Sequence, residues 1–182
     1  MVVLEQESVT DSLTEIYNRR YLERHLADEI ARASRYRTPL SVLLMDVDRF
    51  KRINDTHGHP IGDIVLKGLA RVIVNTAQVT DIVARYGGEE IIVLAPNTPR
   101  KTAQNLAERL RVKIETASFA IPDQAGKRTA ALRVTVSIGV ACYGPDIRDP
   151  RALIRRADEA LYEAKGAGRN RVAVSDGADA SA

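Results

Sequence analysis

The chain has almost no means of cross-linking itself. Cys142 is its single cysteine in 182 residues, which excludes an intrachain disulfide and any cysteine-rich metal site. That usage suits a reducing compartment, and a cytoplasmic location is expected. No apolar run approaches the roughly 18 residues of a membrane-spanning helix, and the N-terminus has no basic-then-apolar leader pattern. Membrane contact by these residues is therefore not expected. The net charge is only +3, too little at this length to argue for a nucleic-acid partner, and none is expected, although it favours anionic substrates. Familiar catalytic signatures are missing as well. Gly126-Lys127 lacks the upstream glycine of a Walker loop and runs into Arg128. No Ser-His-Asp arrangement is legible. The three histidines, His25, His57 and His59, lack zinc-site spacing, and His25 is expected on an exposed helical face. Internal repeats are absent, which sets aside solenoid architectures.

What remains is the composition of an ordinary globular domain, 45% apolar and 28% charged, long enough for one core and too short for two comfortable ones. Residues 1–10 carry no strong pattern and read as a linker or the end of an N-terminal stalk. Asn18 is a good N-cap, and Leu22, Leu26 and Ile30 share a stripe, predicting a helix over 18–36. Pro39 restarts the chain before Ser41-Val42-Leu43-Leu44-Met45, a run suited to a strand buried on both faces. A short helix over 50–55 is broken by Thr56-His57-Gly58-His59-Pro60 and gives way to a second helix over 60–77. Ile82-Val83-Ala84 and Ile91-Ile92-Val93-Leu94-Ala95 flank Gly87-Gly88 and read as a β-hairpin whose glycines supply positive φ at the turn. Thr98-Pro99 predicts the capped start of another helix, with Leu106, Leu110 and Ile114 buried. A short strand near Phe119 leads into a polar loop from Pro122 to Thr129, expected to be mobile. Leu132, Val134, Val136, Ile138 and Val140 alternate with Arg133, Thr135, Ser137 and Gly139, predicting a half-buried strand. Asp149-Pro150 caps a last helix that Gly166-Ala167-Gly168 stops. Arg171-Val172-Ala173-Val174 adds an edge strand, and residues 175–182 form a disordered tail. The predicted class is α/β, an α+β sandwich with a central mixed, mainly antiparallel sheet flanked by helices.

Chemistry enters through acids in two places. Asp46 and Asp48 stand at the end of the predicted buried strand, where carboxylates are costly unless paired or coordinated. Glu89 and Glu90 sit side by side at the hairpin tip, where they repel each other and add no packing. If strand and hairpin are sheet neighbours, these acids converge. With Lys51, Lys165 and Arg169 available for phosphates, they suit two divalent metals, which stabilise the attacking and leaving oxygens of a phosphoryl displacement. Plainer readings stand beside this one. They are a solvated acidic turn, a helix-dipole preference for Asp63, a helix end for Asn54, a solvated Lys51, an arginine partner for Asp48 and a carboxylate bridge for Arg85. The residues alone point to metal-dependent phosphoryl chemistry.

Together the motifs resemble the GGDEF domain of bacterial diguanylate cyclases, from Asp11 to about Val172. The match runs through Asp11-Ser12-Leu13-Thr14 with Asn18-Arg19-Arg20, then Asp46-Val47-Asp48-Arg49-Phe50-Lys51-Arg52-Ile53-Asn54-Asp55. It continues in Gly58-His59, Gly62-Asp63, Arg85-Tyr86-Gly87-Gly88-Glu89-Glu90 and Ser137-Ile138-Gly139-Val140. It ends in Ala157-Asp158-Glu159-Ala160-Leu161-Tyr162 with Lys165 and Gly168-Arg169-Asn170. The resemblance implies a fold like a polymerase palm or nucleotidyl cyclase over residues 11–174. It implies condensation of two GTP into cyclic di-GMP and pyrophosphate, at a site shared by the protomers of a homodimer. It further implies Mg²⁺ (or Mn²⁺), two per site, held by Asp46, the Val47 carbonyl and Glu89, with Glu90 assisting. Glu89, helped by Glu90, would accept the 3′-hydroxyl proton, and Lys51 would stabilise the transition state. Asn54 and Asp63 would read the guanine edge beside His59 and Phe50, and Gly87 and Gly88 would let the nucleotide approach. Lys165 and Arg169 would hold phosphates. An N-terminal sensory or receiver domain is implied as a partner. A catalytically inactive GTP- or cyclic di-GMP-binding module is the alternative, and the retained acids speak against it.

Two departures stand out. The family motif ends in Phe where this chain has Ile91, a side chain expected in the core, so an apolar exchange should keep the site. The family's product-inhibition motif, Arg-x-x-Asp just before the hairpin, is Gln78-Val79-Thr80-Asp81 here. Gln cannot replace a bidentate arginine. Arg109 remains as an auxiliary contact, and feedback inhibition is expected to be weak or absent.

Overall fold

β1 (Leu40–Val47) runs through the centre of the molecule with every residue buried, as its apolar run predicts. The structure, a computed structural model, describes residues 8–122, 129–147 and 149–176. The polar loop expected over 122–129 lies outside these residues at 123–128, and so does the expected tail from 177 onward. In chain order the described residues form α1 (Arg19–Tyr36), β1, α2 (Phe50–His57), α3 (His59–Val74), β2 (Ile82–Arg85), β3 (Glu90–Pro96), α4 (Arg100–Thr116), β4 (Phe119–Pro122), β5 (Thr129–Leu132), β6 (Val136–Cys142), α5 (Pro150–Gly166) and β7 (Val172–Val174). The main sheet has the order β2-β3-β1-β6-β7, antiparallel except for the parallel β6–β7 pair, and β4–β5 form a separate hairpin. The expected mixed, mainly antiparallel sheet is the one observed. Among the described residues no helix is long and apolar enough to cross a membrane.

Alternation along the strands sorts the core into two layers. Leu43, Met45 and Val47 of β1 join Ile91 and Val93 of β3 against Leu66, Leu69 and Leu110 of α3 and α4. Val42 and Leu44 join Ile92 and Leu94 against Leu22, Leu26, Leu153 and Leu161 of α1 and α5. Ile91 is thus a core residue, as expected. The helices begin where their caps dictate. Asn18 accepts the Tyr21 N–H at 2.9 Å, and Asp149 accepts the Arg151 N–H at 2.7 Å with Pro150 in the first turn. Gly58, at φ +87°, supplies the left-handed link that ends α2 and starts α3.

Several expectations are corrected. Thr98 does not cap α4; Pro99 holds that position, and the Thr98 hydroxyl donates instead to Pro96 O at 3.0 Å. Thr98 is occupied elsewhere, since its carbonyl accepts the buried Ser41 hydroxyl at 2.7 Å. The half-buried strand over 132–140 is not one strand: β5 ends at Leu132, and β6 is buried at every residue. Gly139 marks a helix contact rather than solvent, because a Cβ there would lie 2.0 Å from Ala157 O of α5. His25 is half-buried rather than exposed, its ring stacked on Tyr21 at 3.9 Å between centroids.

Candidate active site

The expected convergence of acids takes place at the shared end of β1 and β3. Asp46 stands opposite Glu90 across one strand pair and opposite Ser137 across the other. From α5, Lys165 Nζ reaches Asp46 Oδ2 at 3.0 Å. Burial pushes the Asp46 carboxyl up to about 6; Lys165 opposes the shift, and the charges of Glu89 and Glu90 add to it. Glu90 is raised too, by burial first and then by Asp158 and Glu89, with Lys165 and Arg19 opposing. Burial, with the neighbouring acids adding to it, outweighs the one ammonium among them.

The two adjacent glutamates separate. Glu90 lines a groove between α1 and α5 with Arg19, Tyr86 and Asp158. Glu89 lines a cleft of about 460 Å³ on the other side, with Lys51, Asn54, His59, Asp63 and Gly88. Phe50 borders this cleft and also packs into the core. Asn54 Oδ1 is buried there with no hydrogen-bond partner. Such an acceptor left unpaired costs ~1–3 kcal/mol. Gly62 of α3 makes room for it, since a Cβ there would lie 2.0 Å from Asn54 Oδ1 and 3.0 Å from Phe50 Cζ.

The hairpin tip is fixed by Arg85. Its Nη2 and Nε donate to Gly88 O at 2.9 and 3.1 Å, and its Nη1 bridges to Asp11 at 3.1 Å. Burial opposes the Asp11 charge, but hydrogen bonds from Thr14 and Arg85 outweigh it and hold that carboxyl below its usual range. The carboxylate bridge expected for Arg85 therefore exists; its partner was not foreseen, although Asp11-x-x-Thr14 is a local capping pattern. The glycines serve differently from expectation. Neither Gly87 nor Gly88 lies in the left-handed region. Space decides instead: a Cβ on Gly87 would meet Glu90 Oε2 at 2.7 Å, whereas one on Gly88 would meet nothing within 4 Å.

Asp48 has no arginine partner. It accepts the Ser137 hydroxyl at 2.6 Å, the Thr135 hydroxyl at 2.7 Å and the Asn170 N–H at 3.0 Å, and so ties β1 to β6 and to the turn after α5. Arg169 does not join Lys165; it lines another cleft, beyond α2, with Arg49, Arg52 and Arg133. Gln78 and Asp81 share a separate groove, where Asp81 Oδ2 accepts the Gln78 N–H at 2.7 Å. Arg109 donates to Thr76 O at 3.1 Å and acts on Asp81 through its charge.

Among the described residues no three carboxylate, imidazole or thiol groups lie close enough to chelate a cation by themselves. The donors at hand, Asp46, Glu89 and the Val47 carbonyl at the end of β1, are all hard oxygens. An incomplete oxygen set fits a magnesium-like ion whose shell is finished by phosphates and water, and it does not fit zinc.

The sequence matches the family described as "Diguanylate cyclase, GGDEF domain" over residues 8–171. It is 42% identical over 165 residues to the response regulator PleD of Caulobacter vibrioides, an alignment covering 91% of this chain and 36% of PleD. Diguanylate cyclase A of Treponema denticola is 46% identical over 136 residues, 75% of this chain and 35% of the relative. The chain thus spans about a third of the length of these curated relatives. Among solved structures, the GGDEF domain of DgcB from Caulobacter crescentus in complex with c-di-GMP superposes with a TM-score of 0.87 at 31% identity, over 97% of this chain and 98% of that one. Sheet order, the acids that meet at its edge and a match spanning nearly the whole chain agree: the chain belongs to the GGDEF family of diguanylate cyclase domains.

Proposed function

We propose that this domain condenses two GTP into cyclic di-GMP and pyrophosphate, acting as a homodimer in which each protomer holds one GTP. The observation that carries this is the unpartnered, buried Asn54 Oδ1 in the cleft shared by Lys51, Asp63 and Glu89. The Watson–Crick edge of guanine offers N–H donors that Asn54 and Asp63 accept, with His59 and Phe50 beside them; adenine presents an acceptor at the central position. The nucleotide passes the turn at Gly87 and Gly88, where Gly88 leaves open space. The 3′-oxygen of the GTP on the second protomer attacks the α-phosphorus, and its proton goes to Glu89, helped by Glu90. The bond to the β-phosphate oxygen breaks, and pyrophosphate departs with the electron pair; the reciprocal attack at the partner's site closes the ring and releases a second pyrophosphate. Lys51 offsets the charge that accumulates at phosphorus, and Lys165 and Arg169 bind phosphate oxygens. Mg²⁺ or Mn²⁺, two per site, would be held by Asp46, the Val47 carbonyl, Glu89 and Glu90, and would supply Lewis acidity and charge neutralisation.

The greater length of the relatives, one of them named a response regulator, supports a sensory or receiver partner N-terminal to a catalytic unit over 11–174, and the single cysteine supports a cytoplasmic setting. Gln78 at the arginine position supports weak or absent product inhibition. An inhibition curve with cyclic di-GMP checks that, and potent non-competitive inhibition would refute it. The function itself is tested with GTP and Mg²⁺ over a series of protein concentrations, with products identified by chromatography and mass. Cyclic di-GMP should form with a greater-than-linear dependence on protein, and Glu89→Ala should lower turnover at least ~100-fold. GTP binding without turnover at high protein concentration would favour the non-catalytic module.

A further inference from the structure

α5 buries Leu153, Ala157, Leu161 and Ala164 against the rest of the fold and turns another face to solvent. Arg151, Arg155, Asp158 and Tyr162 are exposed on that face. Their spacing of four, three and four residues places them on one stripe of the helix. Among the described residues none of the four makes an ion pair or a side-chain hydrogen bond. Arg155 does not pair with Asp158 although it stands three residues before it, whereas Arg32 and Arg111 each hold a glutamate at that distance. Across the adjoining groove Arg19 and Glu23 are paired with each other. Tyr162 is 79% exposed, the most exposed aromatic side chain among the described residues.

The stripe is palindromic in spacing and self-complementary in chemistry. Laid antiparallel on a copy of itself about a two-fold axis, it sets Arg155 opposite the second copy's Asp158 and Arg151 opposite the second copy's Tyr162. Symmetry repeats both contacts, giving two ion pairs and two cation–π contacts. The latter kind already occurs within the molecule, where the Arg19 guanidinium lies 4.4 Å from the Tyr86 ring centroid. A parallel pair would instead set arginine against arginine and aspartate against aspartate.

We propose that a second copy of this chain docks on α5, antiparallel, through Arg151, Arg155, Asp158 and Tyr162. The two Lys165 residues then lie ~25 Å apart along the helix pair, with the Asp46–Glu90 edges at its opposite ends. This association differs from the dimer of the proposed reaction, in which the two nucleotides must meet. That contrast rests on the cyclase reading, and the docking surface does not. With so few side chains from each copy, the contact belongs to the small, transient class of interfaces, and salt should weaken it.

Sedimentation velocity of the whole chain, without nucleotide or metal and over a protein concentration series at low salt, tests the surface. Wild type should associate reversibly to a dimer. Arg155→Asp alone, or Asp158→Arg alone, sets like charges opposite each other twice and should weaken the dimer at least ~10-fold. Arg155→Asp combined with Asp158→Arg restores the complementarity and should recover most of the affinity, which neither misfolding nor a general charge effect would do. A monomeric wild type, single variants that dimerise as well as wild type, or a double exchange no better than the singles would each overturn the proposal. Wild-type GTP turnover is read separately, so its absence would remove the cyclase reading and leave the docking surface standing.

Discussion

Replacing Gly62 with alanine should separate stability from recognition. Alanine is the better helix residue by ~1 kcal/mol, so α3 itself gains. Against that, the new Cβ would lie 2.0 Å from Asn54 Oδ1 and 3.0 Å from Phe50 Cζ. The first neighbour is the tip of a flexible side chain that makes no hydrogen bond in the protein. It yields at small cost, and its exit from burial relieves a penalty of ~1–3 kcal/mol. Phe50, buried against the core, yields less, and a slight overlap there costs ~1 kcal/mol. The net change in unfolding free energy should fall within ~1 kcal/mol of zero, readable from urea melts. Recognition has no such compensation. With Asn54 displaced, a bond to the base worth ~1–3 kcal/mol is lost, so GTP should bind ~10- to 100-fold more weakly and the preference over ATP should shrink by a similar factor. Unchanged GTP affinity would refute the role given to Asn54. A global destabilisation of several kcal/mol would instead refute the claim that Asn54 moves aside.

Two further substitutions follow from the same geometry. Burial raises the Asp46 carboxyl from 3.8 to about 6, so the native state binds that proton more tightly than the unfolded chain does, and stability falls as pH rises through that interval. Asp46→Asn should therefore be more stable than wild type at pH 8, by up to ~3 kcal/mol, while losing turnover. The gain should vanish below about pH 4, and a wild type more stable at pH 8 in calorimetry would contradict it. Gly139→Ala forces a Cβ to 2.0 Å from Ala157 O and 2.3 Å from Leu161 N, both backbone atoms of α5 that cannot step aside. It should cost ~3 kcal/mol or more in a urea melt, and a loss under ~1 kcal/mol would mean that α5 is free to shift.

What the sequence made legible was local. Caps at Asn18 and Asp149, the continuous apolar run of β1 and the glycine break at Gly58 each depend on neighbours within a few residues, and each stands where expected. The failures with most bearing on the site depended on a second surface. Ser137 and Gly139 look like the outward half of an amphipathic strand, yet they are small because α5 presses on Gly139 and because Ser137 must donate to Asp48. Asp48 looked like half of an ion pair, and only the assembled sheet shows that hydroxyls from residues nearly ninety positions away saturate it. The separation of Arg169 from Lys165 arises the same way, from a left-handed turn after the helix whose anchor, Asp48, lies on another element. Chemistry-bearing residue types were legible; which face each one occupies was not.

Facing also bears on the division of labour between the paired glutamates. Successive side chains along a strand point to opposite faces, and Ile91, next after the acids, belongs to the α3–α4 layer opposite Met45. Glu89 accordingly borders the cleft with Lys51 and Asn54, whereas Glu90 borders the α1–α5 groove with Arg19 and Asp158. This supports giving the proton transfer to Glu89. Glu90 would act chiefly by raising the negative potential around Asp46 and Lys165, where a cation is needed. The same geometry explains why Ile can stand where the family has Phe: the position seals the core behind the acids and is itself buried. Its side chain is answerable to packing, and a branched aliphatic of moderate volume meets that demand without touching the cleft.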